Sequence, residues 1–254
     1  MLNNDIWEQL YKGLSYFDSY LPEWKMLKNT THIPLLLSVI DMFKHDFILE
    51  FGAGMFSTPI FYHNYVKKFV TVEDSAIWIK FIEKELPVKN GFVTRNTGFL
   101  FTRPNRVKEL AFYELNIEQQ ERLLKCYRKL YRKYDNIDIL FIDQIKYGRG
   151  KSIKQFYNKS NIIIFHDCQH IHRFGYEIIN DILKEEKYNL YIHKTIPAYT
   201  GILIKKDIDF DYNRLSEKIE LYEKKHFNMI CDKNNNFFKN TSNSIFKFVK
   251  QEKL

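Results

Sequence analysis

Four carboxylates in this chain stand where short apolar runs end. Glu50 belongs to ILEFGAGMFSTP (48–59), an apolar run that meets an acid, then Gly52 and Gly54, then Ser57-Thr58-Pro59. Glu73 closes FVTVE (69–73), Asp143 closes IDILFID (137–143), and Asp167 closes NIIIFHD (161–167) just after His166. Glycines at a strand end let the backbone approach a ligand closely, and a following helix amino terminus favours a negative group. Glu50, directly before that turn, would repel a pyrophosphate but can pair with an amino group. A carboxylate at the position of Glu73 can accept both hydroxyls of a ribose. The turn therefore asks for a ribosyl group and a cation, with no phosphate required. Ser57 is placed to cap the helix and to touch the same ligand. The run from Gly52 to Ser57 reads GxGxxS, whereas the dinucleotide fingerprint ends in Gly or Ala.

Asp143 and Asp167 should face one cleft, at the carboxyl edge where open α/β sheets bind ligands. Two chemistries compete there. The two carboxylates can be hard oxygen ligands of a divalent ion that orients and acidifies a hydroxyl. Alternatively Asp143 contacts cofactor and substrate while His166 or Asp167 acts as general base. Arg149, on the loop after the Asp143 strand, can clamp an anionic or hydroxyl-rich acceptor. His170, His172 and Arg173 read as a cleft wall or surface rather than a metal site, and Cys168 as a passive small residue.

The elements that must position these groups follow from the apolar rhythm. FILEF (47–51), FVTVE, the weaker GFVTR (91–95), IDILFID and NIIIFHD read as strands, with helical spacing at 56–65, 76–86 and 116–134 between them. Alternation of this kind gives a parallel sheet covered on both faces. YNLYIHKTI (188–196) and TGILIKK (200–206) are separated by too few residues for a parallel crossover and form an antiparallel hairpin. A helix is expected after Thr30-Thr31 with Pro34 in its first turn, and others over 172–186 and 213–226. The segment 98–136, rich in aromatic residues, is a candidate lid. The tail after about 232 reads as loose.

The 254 residues suffice for one well-buried core. Lys and Arg number 39 against 31 Asp and Glu, a net charge of +8 that invites nucleic acid, anionic membrane or acidic glycan. Three separated cysteines form no framework and fit a reducing, cytoplasmic setting. No uncharged apolar window is long enough to span a membrane.

Together these residues resemble a class I S-adenosylmethionine-dependent methyltransferase. ILEFGAG is similar to the first motif of that superfamily, and VTVEDSAIW, with Glu73, Asp74 and Trp78, to the second-strand motif. The resemblance, over about 46–206, implies a Rossmann-like α/β sheet ordered 3-2-1-4-5-7-6 with its last strand antiparallel and helices on both faces. It implies S-adenosylmethionine as cofactor, held by Glu50, Gly52, Gly54, Ser57, Glu73 and Asp143. Phe141-Ile142-Asp143-Gln144, then Tyr147-Gly148-Arg149, then His166-Asp167 look like small O-methyltransferases, some of which act on sugars or polysaccharides; Gln144 stands where that branch has Gly. The expected organisation is a helical extension (1–45), the cofactor-binding domain (46–208), and a C-terminal helix with a basic tail (209–254), in one compact unit. The expected acceptor is a hydroxyl of a glycan or small molecule. The rivals are a nucleic-acid methyltransferase, whose prolines after the fourth strand are missing here, an NAD-dependent oxidoreductase, and a binding module without turnover.

Overall fold

The computed structural model describes Leu10 and residues 29–64, 67–73, 116–144, 148–195, 198–233 and 247–254. The expected GFVTR strand, the helix over 76–86, Asp74, Trp78, Tyr147 and the first part of the candidate lid (98–115) lie outside the described residues.

The described chain forms a seven-stranded mixed sheet. Its strands are β1 (Phe47–Phe51), β2 (Lys68–Val72), β3 (Ile137–Ile142), β4 (Ser160–His166), β5 (Tyr188–Lys194), β6 (Thr200–Lys205) and β7 (Lys247–Gln251). They are ordered β2-β1-β3-β4-β6-β5-β7. β2, β1, β3 and β4 run parallel, and β6 enters antiparallel between β4 and β5. The Rossmann-like α/β expectation and the inserted antiparallel strand are thus met. The tail differs from expectation. Lys247–Gln251 is not loose but pairs antiparallel with β5 at the sheet edge. The ring of Phe248 stacks on Tyr191 and Tyr212 there.

The helices are α1 (Ile33–Met42), α2 (Ser57–Asn64), α3 (Ile117–Lys133), α4 (Arg149–Phe156), α5 (Ile171–Phe174), α6 (Ile178–Lys184) and α7 (Tyr212–Lys233). α1, IPLLLSVIDM, is apolar nearly all round with Pro34 in its first turn, so it is a core helix. It packs with α2 and α7 over the face that carries Ile48, Phe141, Ile164 and Ile202. α3 opens on a reciprocal Asn116–Gln119 cap and turns Leu123, Tyr127 and Leu130 to the opposite face, together with Ile153, Phe156 and Ile179. The helix expected over 172–186 is broken at Gly175, where the backbone is left-handed. The break lets Gly150 of α4 pass so close that a Cβ there would lie 2.0 Å from the Gly175 carbonyl oxygen.

Candidate active site

Parallel register brings the sequence-flagged acids to one edge. Phe51 is level with Val72 and with Ile142, and Ile142 with Phe165, so Asp143 and His166 leave neighbouring strands side by side. Side chains alternate across a strand. Glu50, Asp143 and His166 therefore project toward the face covered by α1, α2 and α7.

Gly52 closes β1 at φ +96°, donating its N–H to the Val72 carbonyl at 2.9 Å. A Cβ at that position would lie 2.5 Å from the Asp143 carbonyl carbon and the Gln144 nitrogen. Gly52 is thus demanded by the close passage of β1 against the end of β3, independently of any ligand. Glu50 is fully buried. Its two oxygens accept from the Ser57 hydroxyl at 2.6 Å and the Thr58 hydroxyl at 2.8 Å. Gly54 N–H in turn donates to Thr58 Oγ1 at 2.8 Å. Burial, only partly offset by these hydroxyl donors, pushes the Glu50 carboxyl up to about 7. Glu73 stands buried immediately after β2.

Arg149, the first residue of α4, is buried at the centre of the cluster. Its Nη2 pairs with Asp143 Oδ1 at 2.8 Å, its Nη1 reaches Asp167 Oδ2 at 3.3 Å and the His166 carbonyl at 3.0 Å, and its Nε donates to the Gln144 carbonyl at 2.6 Å. The Phe174 ring lies beneath the guanidinium, 4.3 Å from it. The expectation of a substrate clamp at Arg149 therefore meets a guanidinium already engaged within the protein. The same geometry bears on a hard cation shared by Asp143 and Asp167. Arg149 already occupies the place between the two carboxylates, so that ligand pair does not suit an oxygen-loving ion. Burial by itself would raise the Asp143 carboxyl, but His166 and Arg149 outweigh it and hold it well below the usual carboxylate range.

His166 is engaged at both ring nitrogens. Nε2 lies 2.9 Å from Thr31 Oγ1 and Nδ1 lies 3.3 Å from Asp143 Oδ1. Its carbonyl also accepts from the Tyr176 hydroxyl at 2.8 Å. Asp167 adopts φ +59°, a left-handed conformation that costs a non-glycine residue about 1–2 kcal/mol. Its Oδ1 is buried and has no hydrogen-bond partner among the described residues. Gln144, which stands in place of Gly, donates to the hydroxyls of Tyr127 at 2.8 Å and Ser152 at 2.9 Å, tying the loop to α3 and α4.

The site also holds residues that sequence reasoning passed over. Thr31 and His32 precede α1, far from the other members in the chain; in sequence Thr31 marks only a helix start and His32 carries no assignment. His32 is 2% exposed, and its ring meets that of His166 edge-on at a centroid distance of 4.8 Å. Burial, with His166 alongside, pushes its pKa down to about 3, so the ring is neutral. Thr58 and Tyr176 were missed as well. The local signals for these four are Thr30-Thr31-His32 ahead of Pro34, polar residues that lead directly into an apolar helix, and Thr58 within Ser57-Thr58-Pro59. His172 is exposed and bonded to Glu177, while His170 donates its backbone N–H to the Asp167 carbonyl at 3.0 Å and Arg173 lies over the Phe174 ring. Cys168 is buried, and burial raises its thiol pKa, which fits the passive reading.

Among the described residues no helix is long and apolar enough to cross a membrane. No family model and no curated protein matches the chain. Solved structures do show a likeness. An O-methyltransferase from Bacillus cereus, in complex with S-adenosylhomocysteine, is 13% identical, with 79% of this chain and 100% of that one covered at a TM-score of 0.45. MycE methyltransferase from the mycinamycin biosynthetic pathway, in complex with Mg and S-adenosylhomocysteine, is 9% identical, with 83% and 58% covered at 0.44. Human methyltransferase-like protein 13, in complex with S-adenosylhomocysteine, is 12% identical, with 80% and 90% covered at 0.40.

Proposed function

We propose that this chain is a class I S-adenosylmethionine-dependent methyltransferase acting on a hydroxyl of a sugar, glycan or small molecule. One observation carries the reading. Along one carboxyl edge lie a buried Glu50 behind a glycine turn, Glu73 closing the next strand, and the Asp143–His166–Asp167 group joined by Arg149. Glu73 takes the ribose hydroxyls. Gly52 and Gly54 carry the backbone along the methionine portion, and Glu50, with Ser57, supplies negative charge behind its ammonium. Asp143, 23% exposed at its side chain, is the wettest member of the cluster and faces cofactor and acceptor.

The methyl moves in line from sulfonium to acceptor oxygen, and alignment of the two supplies much of the rate. The acceptor proton goes to Asp167, whose Oδ1 has no hydrogen-bond partner among the described residues, whereas both nitrogens of His166 are engaged. His166 orients Asp143, and Arg149 holds both carboxylates. The choice of a glycan hydroxyl follows the resemblance to small O-methyltransferases and the Asp143–Arg149 and His166-Asp167 pattern.

The test is calorimetric titration of the full chain with S-adenosylhomocysteine and with NAD, repeated on Glu73→Ala. Micromolar binding of S-adenosylhomocysteine, lost in the variant and absent for NAD, is expected. No binding of S-adenosylhomocysteine, or preference for NAD, overturns the reading.

A further inference from the structure

We propose that His32, Asp143 and His166 bind one divalent cation of the zinc class, and that the acceptor hydroxyl is ligated to it. One ligand atom from each residue lies within 4.8 Å of the others, and among the described residues this is the one group of three so disposed. The three come from separate elements: His32 from the entry to α1, Asp143 from the end of β3, and His166 from the end of β4. A tetrahedral zinc needs its ligands about 3.4 Å apart, a closure that side-chain rotation supplies.

Independent observations point to a ligand at this place. His32 is 2% exposed, yet neither ring nitrogen has a hydrogen-bond partner among the described residues. A buried imidazole left in that state carries the full desolvation cost of a donor and an acceptor. His166 is arranged as metal-bound histidines are. Thr31 Oγ1 lies 2.9 Å from Nε2, and in the tautomer whose Nε2 proton goes to Thr31 the Nδ1 lone pair is turned toward Asp143 and is open to a cation. Among the described residues Asp143 takes its contacts on Oδ1, so Oδ2 remains for a further ligand.

The donor set selects the metal. Two imidazoles and one carboxylate suit zinc and its borderline neighbours, whereas magnesium and calcium call for oxygen throughout. Three protein ligands with one open position is the pattern of zinc sites that do chemistry. Exposure rises toward Asp143, so the open position lies on the solvent side of the group. There the cation lowers the pKa of a bound hydroxyl. The O–H bond breaks and its proton passes to Asp167 Oδ1. The oxygen then bonds to the methyl carbon while the S–C bond breaks, its electron pair staying on sulfur. The metal remains divalent throughout. This role rests on the methyl-transfer reading; the cation site does not.

Full-length protein, stripped with chelator and dialysed, is titrated with zinc against a chromophoric chelator, with metal content measured on the recovered chain. One zinc per chain is expected. His32→Ala and His166→Ala should each weaken binding more than 100-fold, and Thr31→Val by about 10–100-fold. Excess magnesium should not compete. The cobalt-loaded wild-type chain should show the intense visible absorption of four-coordinate cobalt, bleached by zinc, a readout that requires no variant to fold. S-adenosylhomocysteine titration of the same samples separates the two proposals. Retained binding of S-adenosylhomocysteine, with zinc either unbound by the wild type or unaffected by the three variants, overturns the metal site and spares the methyltransferase reading. Zinc bound as expected, with S-adenosylhomocysteine not bound, does the reverse.

Discussion

At the scale of residues, Glu50 shows how a buried carboxyl costs stability. Its folded pKa of about 7 lies above the ordinary 4.5, so the folded protein holds a proton that the unfolded chain releases. The stabilising effect is complete below pH 4.5 and is lost as pH rises through 7, a swing of about 3 kcal/mol. Glu50→Gln keeps the shape, and Ser57 can turn to accept from the new amide. Its stability should stay flat over that window and exceed the wild type by about 1–3 kcal/mol at pH 8, as urea denaturation at pH 5 and pH 8 would report. The same variant should bind S-adenosylhomocysteine more weakly, because the charge behind the ammonium is gone. Arg149 makes the opposite case. Arg149→Met strands Asp143 and Asp167 in a buried pocket without their cation and should cost about 3–5 kcal/mol in the same assay at pH 7.

At the scale of elements, the site depends on how α4 meets the break between α5 and α6. Gly150 sits against the Gly175 carbonyl with no room for a Cβ. Gly150→Ala should push α4 outward, carry Arg149 away from the carboxylates, and lower the melting temperature together with cofactor affinity. Thermal melts with and without S-adenosylhomocysteine would show both losses. β7 should behave differently. Its Phe248 stacks on Tyr191 and Tyr212 at the far edge of the sheet, and Tyr212 donates to the Phe248 carbonyl. Phe248→Ala should cost about 2 kcal/mol and leave S-adenosylhomocysteine affinity unchanged. A drop in affinity would mean that the edge strand communicates with the cleft.

At the scale of the molecule, the net charge of +8 bears on association. Contacts to nucleic acid made by a dispersed basic surface release counterions and weaken steeply with salt. Binding of RNA or DNA to this chain should therefore be independent of sequence and fall away between 50 and 200 mM salt, without transfer of label from S-adenosylmethionine. Saturable, salt-resistant binding with methyl transfer to a base would move the acceptor from glycan to nucleic acid.

Strand and helix alternation was legible in the chain because apolar periodicity is a local property. The few residues between 196 and 200 dictated a hairpin whatever lay around them. The acids at strand ends were legible for the same reason, since parallel strands deliver their carboxyl ends to one edge. What Thr31 and His32 do was not, because a contact to His166 across 135 residues has no local signature. Nor was the use of Arg149, which reads as an acceptor clamp until Asp143, Asp167 and the Gln144 and His166 carbonyls close around it. KFVKQ became a strand only because β5 offered an unpaired edge, and the helix after Asp167 broke at Gly175 only because Gly150 had to pass. Sequence alone set the first six described strands and placed the acids along one edge of the sheet. Burial and long-range pairing decided which of those groups stay charged, which are consumed within the protein, and which remain free to meet a ligand.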